Sequence, residues 1–140
     1  MTPDFQIAVD CADPHAVSRF WAAAVGYEVE DHHDQVEQLL AAGAITTADA
    51  VEIDGRKAFK DAAACSDPTG RRPRLLFQVV PEPKTVKNRV HLDIRIGEEG
   101  QAAEVERLTA LGATRLHDGR QGPHTWVTMA DPEGNEFCVA

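Results

Sequence analysis

Met129-Ala-Asp-Pro-Glu-Gly-Asn-Glu-Phe-Cys-Val-Ala140 ends the chain with a turn that leads into an apolar strand. The same arrangement occurs once earlier, where Ser66-Asp-Pro-Thr-Gly70 precedes Leu75-Leu-Phe-Gln-Val-Val80. In Asp-Pro-x-Gly, proline fixes φ at the first inner position and glycine accepts a positive φ, so each copy reverses the chain. The duplication predicts a protein built from two copies of one module.

The start of the module is repeated as well. Gln6-Ile-Ala-Val-Asp-Cys11 and His91-Leu-Asp-Ile-Arg-Ile96 are alternating strands, and a helical stretch that stops at a glycine follows each of them. Asp13 as N-cap and Pro14 at the first helical position predict where the first helix begins. Each module is therefore expected to start with a strand and a helix.

The first module is longer than the second between this glycine and the Asp-Pro turn. The extra residues are assigned to an insertion near 36–57, with one helix through Leu39 and Leu40 and a second helix around 47–53. We therefore expect a single domain over residues 1–140. Its first module covers 1–83, including the insertion, and its second module covers 88–140.

Composition excludes several classes of protein. The 140 residues are 43% hydrophobic and 26% charged, which is typical of one soluble globular domain. A net charge of −9 argues against binding to nucleic acid, which requires clustered Lys and Arg. No apolar run approaches the roughly 20 residues that cross a bilayer, and no signal peptide is evident, so we expect a cytoplasmic protein. Cys11, Cys65 and Cys138 have no CxxC spacing and are expected to be reduced thiols.

The chain resembles the vicinal oxygen chelate superfamily, and within it the glyoxalase-like domain proteins. The resemblance rests on the two βαβββ modules and on two segments in order, Lys87-Asn-Arg-Val-His-Leu-Asp93 and Asp131-Pro-Glu-Gly-Asn-Glu-Phe-Cys138. The resemblance implies an α+β fold in which two βαβββ modules form curved mixed sheets around a cleft. In glyoxalase I, extradiol dioxygenases and fosfomycin resistance enzymes this cleft holds a divalent metal. Other members bind no metal and sequester a drug, and homodimers are common.

Carried onto this chain, the four metal-ligand positions of the family are Gln6, Gln78, His91 and Cys138. Two neutral amides and a thiol supply little charge to balance a hard divalent cation. We therefore expect no metal cofactor. If a divalent ion such as Zn, Ni, Mn or Fe were bound, these four residues would be its ligands, and Zn²⁺ would accept His91, a Cys138 thiolate and Glu136 as a third ligand.

His91 opens an alternating strand, on which Asp93 and Arg95 share its face. With the resemblance, this pattern predicts that His91 faces the cleft and serves as general base, hydrogen-bond donor or ligand. An antiparallel strand with one face in solvent gives the same alternation. Glu136 is the only carboxylate on the last strand and is predicted as a catalytic proton-transfer group, with a solvent-facing ion pair as its alternative.

Three further residues are candidates for ligand binding. Gln78 is the single polar residue of an apolar strand and is expected to need hydrogen-bond partners. Trp126 would form the floor of a binding pocket or pack in the core. Cys138 would be a nucleophile if His91 lowered its pKa, whereas inert packing is the alternative.

The sequence thus favours a protein that recognises a small organic ligand in its cleft, lined by Gln6, Gln78, His91, Trp126 and Cys138. An isomerase or lyase reaction would use Glu136 or His91 to move a proton. One alternative is a divalent-metal-dependent glyoxalase or dioxygenase-type enzyme, and another is a non-catalytic protein that sequesters an antibiotic or metabolite. The expected partners are a small molecule and a second copy of the chain, with no nucleic acid and no membrane.

Overall fold

A computed structural model describes residues 1–140 of the chain. The first module contains six strands and two helices, in the order β1 (Ile7–Cys11), α1 (Pro14–Val25), β2 (Glu28–Val29), α2 (His33–Ala41), β3 (Ala50–Ile53), β4 (Arg56–Phe59), β5 (Ala62–Ser66) and β6 (Leu75–Val79). The second module contains β7 (Asp93–Ile94), α3 (Gln101–Ala110), β8 (Thr114–Gln121), β9 (His124–Ala130) and β10 (Glu136–Val139). Short 3-10 helices lie at Thr47–Asp49 and Glu98–Gly100.

Each module forms one four-stranded mixed sheet with the same connectivity. The order is β1-β6-β5-β2 in the first and β7-β10-β9-β8 in the second, and the first strand of each module pairs in parallel with the last. The other neighbours in both sheets are antiparallel. The structure confirms the α+β class, and β1 and β7 each form one edge of their sheet.

The first helix begins and ends as its local sequence dictates. The side chain of Asp13 accepts hydrogen bonds from the N–H groups of His15 and Ala16, at 3.1 and 3.0 Å, and Pro14 occupies the first turn. Gly26 ends the helix in the left-handed conformation with φ of 72°, which glycine adopts without steric cost. The predicted N-cap and the predicted end of α1 are both confirmed.

The insertion near 36–57 differs from its prediction in its second half. The helix through Leu39 and Leu40 is present as α2, but a helix around 47–53 is wrong, because the chain forms a single 3-10 turn and then the hairpin β3–β4. Asp54 and Gly55 have φ of 52° and 79°, and an Asp-Gly pair with two positive φ angles is the favoured two-residue hairpin turn. The alternation of Val51 and Ile53 is therefore that of a strand.

The helix α1 is held at both ends by side chains of the second module. Glu133 accepts hydrogen bonds from the N–H groups of Ala12 and Asp13, at 2.7 and 2.8 Å, just before the helix begins. Arg107 donates to the carbonyl oxygens of Ala23 and Ala24 at the other end, at 3.0 and 2.7 Å. A carboxylate at the N-terminus and a guanidinium at the C-terminus both match the helix dipole. These contacts fix the first module against the second.

One hydrophobic core joins the two modules. Phe20 and Trp21 of α1 pack against Phe137 of β10, with the rings of Trp21 and Phe137 5.0 Å apart in an edge-to-face arrangement. The same core contains Phe77 of β6 and Leu108 of α3, so α1, α3 and both four-stranded sheets contribute to it. None of the helices is long and apolar enough to cross a bilayer.

Candidate functional site

A cavity of about 590 Å³ lies where the two modules meet. Its walls are residues 7–12 along β1 and residues 88–92, which lead into β7. Three buried aromatic side chains form its apolar interior: Trp21, Phe77 and Phe137. Exposed polar side chains lie around it, among them Asp10, Glu82, Arg89 and His91. A ligand in this cavity would contact both modules.

His91 is oriented by a neighbouring carboxylate. Its Nδ1 lies 2.9 Å from Oδ1 of Asp93, two residues along the chain. An ionised carboxylate only accepts hydrogen bonds, so this contact places the ring proton on Nδ1 and leaves Nε2 with a free lone pair. The side chain of His91 is 37% exposed, and the residue lines the cavity. An imidazole held this way can accept a proton from a bound molecule.

Cys138 completes a compact group of possible donors with His91 and Asp93. One nitrogen, one oxygen and the sulfur of these three side chains lie within 4.8 Å of one another. Burial raises the pKa of the Cys138 thiol, and the contact with Thr128, at 3.8 Å, opposes this effect. The thiol is therefore mainly protonated at neutral pH, which disfavours a reactive nucleophile.

Glu136 lines the same cavity, but its carboxylate is engaged by two groups of the segment between the modules. Lys84 donates to it at 2.7 Å and the N–H of Asn88 at 3.0 Å. The hydrogen bond from Lys84 is the main reason why the pKa of Glu136 lies below its ordinary value. Glu136 is held as a carboxylate that fastens the 84–88 segment to β10, and its use in proton transfer stays a prediction.

Gln6 and Gln78 lie outside both the cavity and the group around His91. The side-chain oxygen of Gln6 accepts a hydrogen bond from Arg74 at 3.0 Å. Gln78 is exposed, although its apolar neighbours suggested burial, because the last two residues of β6, Gln78 and Val79, both lie at the surface.

The pairing of the strands explains why the four family positions do not converge. Gln78 lies opposite Asp10, whereas Cys138 lies opposite Asp93. If Gln78 is matched with Cys138, the residue that corresponds to His91 is Ala8, two positions after Gln6. The match of Gln6 with His91 and the match of Gln78 with Cys138 therefore belong to different registers.

Trp126 lies in a different part of the molecule. Its indole crosses Gly119 on the neighbouring strand, and the two residues pair directly between β8 and β9. It lines a second groove of about 660 Å³ between α3 and these strands. Trp126 and His91 therefore do not share a site in this structure.

The structure adds three residues that the sequence did not single out for function. Asp93 orients His91, Trp21 lines the interior of the cavity, and Lys84 binds Glu136. Asp93 could have been found from the two-residue strand period, which places it on the face of His91. Trp21 has the helical spacing of an ordinary core residue, so nothing in the sequence marks it. The residues 36–57 of the insertion contribute nothing to the lining of this cavity.

Comparison with known proteins identifies the family. Residues 6–140 match the family model described as glyoxalase-like domain. A comparison with curated proteins found no match. Among solved structures, a glyoxalase/bleomycin resistance protein/dioxygenase family enzyme from Burkholderia phytofirmans PsJN is similar, with a TM-score of 0.63 and 14% identity, covering 96% of this chain and 94% of that one.

Two further structures have the same fold. The fosfomycin resistance protein FosX from Listeria monocytogenes, complexed with Mn(II) and 1S,2S-dihydroxypropylphosphonic acid, has a TM-score of 0.61 and 13% identity over 99% of this chain and 89% of that one. A glyoxalase-related enzyme from Fulvimarina pelagi has a TM-score of 0.59 and 17% identity over 100% and 88%. At these identities the likeness concerns the fold, and the family model over residues 6–140 shows that this chain belongs to the glyoxalase-like domain family.

Proposed function

We propose that this protein binds a small organic molecule in the cavity between its two modules. The observation that supports this proposal is the cavity itself, which has a volume of about 590 Å³, an aromatic interior and polar groups around it. Ligand sites commonly have about 300–1,000 Å³ and combine apolar walls with a few polar groups. Arg89, Glu82 and Asp10 have no ion-pair partner in the chain and are available to a ligand with charged or polar ends.

His91 is the residue that we assign to proton transfer, if the bound molecule reacts. Asp93 holds its ring with Nε2 free, so Nε2 would take a proton from a carbon or hydroxyl of the ligand, as an isomerase or lyase reaction requires. Glu136 is the weaker candidate, because Lys84 and the N–H of Asn88 already occupy its carboxylate.

A blocked-cavity variant tests the binding site. Val90 and Val86 are both highly exposed, at 84% and 75%, and both lie in the segment between β6 and β7. Only Val90 lines the cavity. A thermal-shift screen of metabolites, antibiotics and phosphonates is expected to give ligands that stabilise the wild type and Val86→Trp but not Val90→Trp. If every stabilising ligand acts equally on Val90→Trp, the cavity is not the binding site.

Turnover separates an enzyme from a protein that only sequesters its ligand. Each ligand found in the screen is incubated with the protein, and the products are followed by mass spectrometry. The proton-transfer role predicts that His91→Gln keeps binding within about threefold but lowers turnover at least about 100-fold. Recovery of unchanged ligand from the wild type would favour sequestration of an antibiotic or metabolite.

A divalent-metal enzyme is the second candidate, and one observation favours it. His91, Asp93 and Cys138 offer imidazole nitrogen, carboxylate oxygen and sulfur within 4.8 Å of one another. This mixed set suits Zn²⁺ better than Mn²⁺, which prefers oxygen ligands. Asp93 supplies the carboxylate that the four family positions lack, whereas Glu136 is engaged by Lys84. A bound Zn²⁺ would act as a Lewis acid or activate a water molecule.

Elemental analysis of untagged protein after dialysis against Zn²⁺ or Mn²⁺ tests this candidate. About one Zn²⁺ per chain is expected, and it should be lost in Asp93→Asn and Cys138→Ser but kept in Gln6→Ala and Gln78→Ala. Retention of Zn²⁺ by Cys138→Ser, or no metal in the wild type, would exclude this site.

We also propose that the protein is a cytoplasmic homodimer, as the family resemblance implies. Light scattering coupled to size-exclusion chromatography checks the dimer, because a chain of 15.2 kDa would elute with twice that mass. A monomer at every concentration tested would contradict it.

A further inference from the structure

The two walls of the cavity are lined by consecutive residues. Residues 7–12 form one wall and residues 88–92 the other. Successive side chains of a strand point to opposite faces, so a cavity beside one face would contact only every second residue. Because residues 7–11 form β1, contact with each of them means that the cavity runs along the edge of this strand, where backbone N–H and C=O groups lie.

The hydrogen bonds of β1 show which backbone groups point into the cavity. The N–H of Ile7 donates to the carbonyl of Arg74 at 2.9 Å, and the carbonyl of Cys11 accepts from Val80 at 3.0 Å. In a parallel pair every second residue bonds to the neighbouring strand. The N–H and C=O groups of Ala8 and Asp10 therefore point away from β6, toward the cavity.

The next residue of this series confirms the direction. The N–H of Ala12 donates to Glu133 at 2.7 Å, and Glu133 lies in the cavity wall. On the opposite wall, the carbonyl of Leu92 accepts from the N–H of Cys138 at 3.0 Å. Arg89 and His91 precede β7 and lie in this second wall of the cavity.

The outer edge of β1 is unused by its sheet, because β1 is an outermost strand. A free strand edge pairs readily with an added extended chain, which gains main-chain hydrogen bonds. An extended segment of about four residues fits within the five residues of β1. Its apolar side chain would meet Trp21, and its charged ends would find Arg89 and the carboxylates of Asp10 and Glu82, which have no ion-pair partner in the chain.

We propose that the ligand of this cavity is a short extended peptide or peptide-like molecule that adds as a strand to β1. It exchanges main-chain hydrogen bonds with Ala8 and Asp10, directs its other edge toward Arg89 and His91, and places one apolar side chain against Trp21. This inference rests on the proposed function of the cavity and names the chemical class of its ligand.

Main-chain recognition is tested with N-methylated peptides. The two tryptophans are Trp21 and Trp126, so Trp126→Phe leaves Trp21 as the only indole reporter of the cavity. Binding of tetrapeptides with Leu, Val or Phe at the second position is followed by Trp21 fluorescence and by calorimetry. N-methylation of each amide in turn should weaken binding at least about tenfold at alternate amides only, because these face β1.

A protein variant tests the same contact from the other side. Ala8→Pro removes only an N–H that the sheet does not use, and proline is tolerated at such positions of edge strands. Val86→Pro removes an N–H outside the cavity and serves as its control. Peptide binding is expected to fall at least about tenfold in Ala8→Pro and to stay within about twofold in Val86→Pro, with both variants folded by circular dichroism.

The inference is overturned if parent and N-methylated peptides bind equally, or if no peptide binds while other molecules stabilise the wild type but not Val90→Trp. In the second case the proposed function stands and only the ligand class is wrong. If every ligand stabilises Val90→Trp as much as the wild type, the cavity itself is not a binding site. Should Ala8→Pro not fold, the N-methylated series alone decides.

Discussion

The indole N–H of Trp21 donates a hydrogen bond to Oδ2 of Asp131 at 3.0 Å and so connects the helix of the first module to the Asp-Pro turn of the second. Both residues are almost fully buried, at 4% and 3% exposure. Asp131 also accepts hydrogen bonds from the N–H groups of Glu133 and Asn135. The turn that marks the sequence repeat is therefore also a joint between the modules.

The two Asp-Pro turns allow a matched test of this joint. Asp67 also accepts several hydrogen bonds, but the donors are Thr69 and Arg72, which follow it closely in the same module. A double-mutant cycle of Trp21→Phe with Asp131→Ala should show a coupling of about 1 kcal/mol in the free energy of unfolding. The same cycle with Asp67→Ala should be additive, and equal coupling in both would contradict a specific joint. Urea denaturation measures all these values.

The close packing of Trp126 on Gly119 leaves no room for a larger residue at position 119, and removing the indole should restore that room. A Cβ at Gly119 would lie 2.1 Å from Cε2 and Nε1 of the indole. Gly119→Ala should therefore destabilise the protein by about 1–3 kcal/mol, as overpacking does. In a Trp126→Ala background the same change should be neutral or stabilising, because alanine is preferred to glycine in a strand. Thermal or urea unfolding checks it, and an equal loss in both backgrounds would be contradictory.

Glu30 should make the free energy of unfolding depend on pH in the acidic range. Arg74 donates to it at 2.7 and 2.9 Å, and this bonding, with Ser66 and His32, lowers the pKa of Glu30 from 4.5 to about 2. Because the pKa of Glu30 is depressed in the folded protein, the stabilisation by its ionised carboxylate is fully present above about pH 4.5 and is lost as the pH falls toward about 2. Urea denaturation across this range should show a shallower pH dependence for Glu30→Gln. An unchanged dependence would contradict the ion pair as its source.

The thiols should differ sharply in reactivity. Cys11 and Cys65 are buried, and burial is the main reason that the pKa of each is raised to about 12. Cys138 is only partly buried. A disulfide reagent at about pH 8 should therefore modify one thiol in the native protein and three after denaturation. Cys138→Ser should abolish the native reaction, whereas its persistence would place the reactive thiol elsewhere.

The sequence predicted those parts of the fold that local signals determine. Asp13, Pro14 and Gly26 defined α1, and the repeated Asp-Pro turns predicted two sheets of the same plan. The hairpin after residue 49 was missed because residues 47–53 were predicted as a helix and the Asp54-Gly55 pair that follows them, a strong turn signal, was not used. The strand predicted from His91 to Ile96 is also shorter in the structure, where β7 covers only Asp93–Ile94.

The candidate site was predicted less completely, because it depends on contacts between distant segments. His91 and Glu136 were expected in the cleft and both line the cavity. Gln6 and Gln78 do not, because strand register decides which residues meet and sequence spacing alone does not. Trp21 and Lys84 act on the site from a helix and a connecting segment, which no strand pattern relates to His91.

The most direct test of the account is an amide NMR titration with a ligand that stabilises the wild type but not Val90→Trp. The account predicts that the largest shifts fall on the N–H groups of Ala8, Asp10, Arg89 and His91, with little change at Gly119 and Trp126. Shifts centred on Gly119 and Trp126 would place the ligand in the groove beside α3. That result would contradict the inter-module cavity as the functional site.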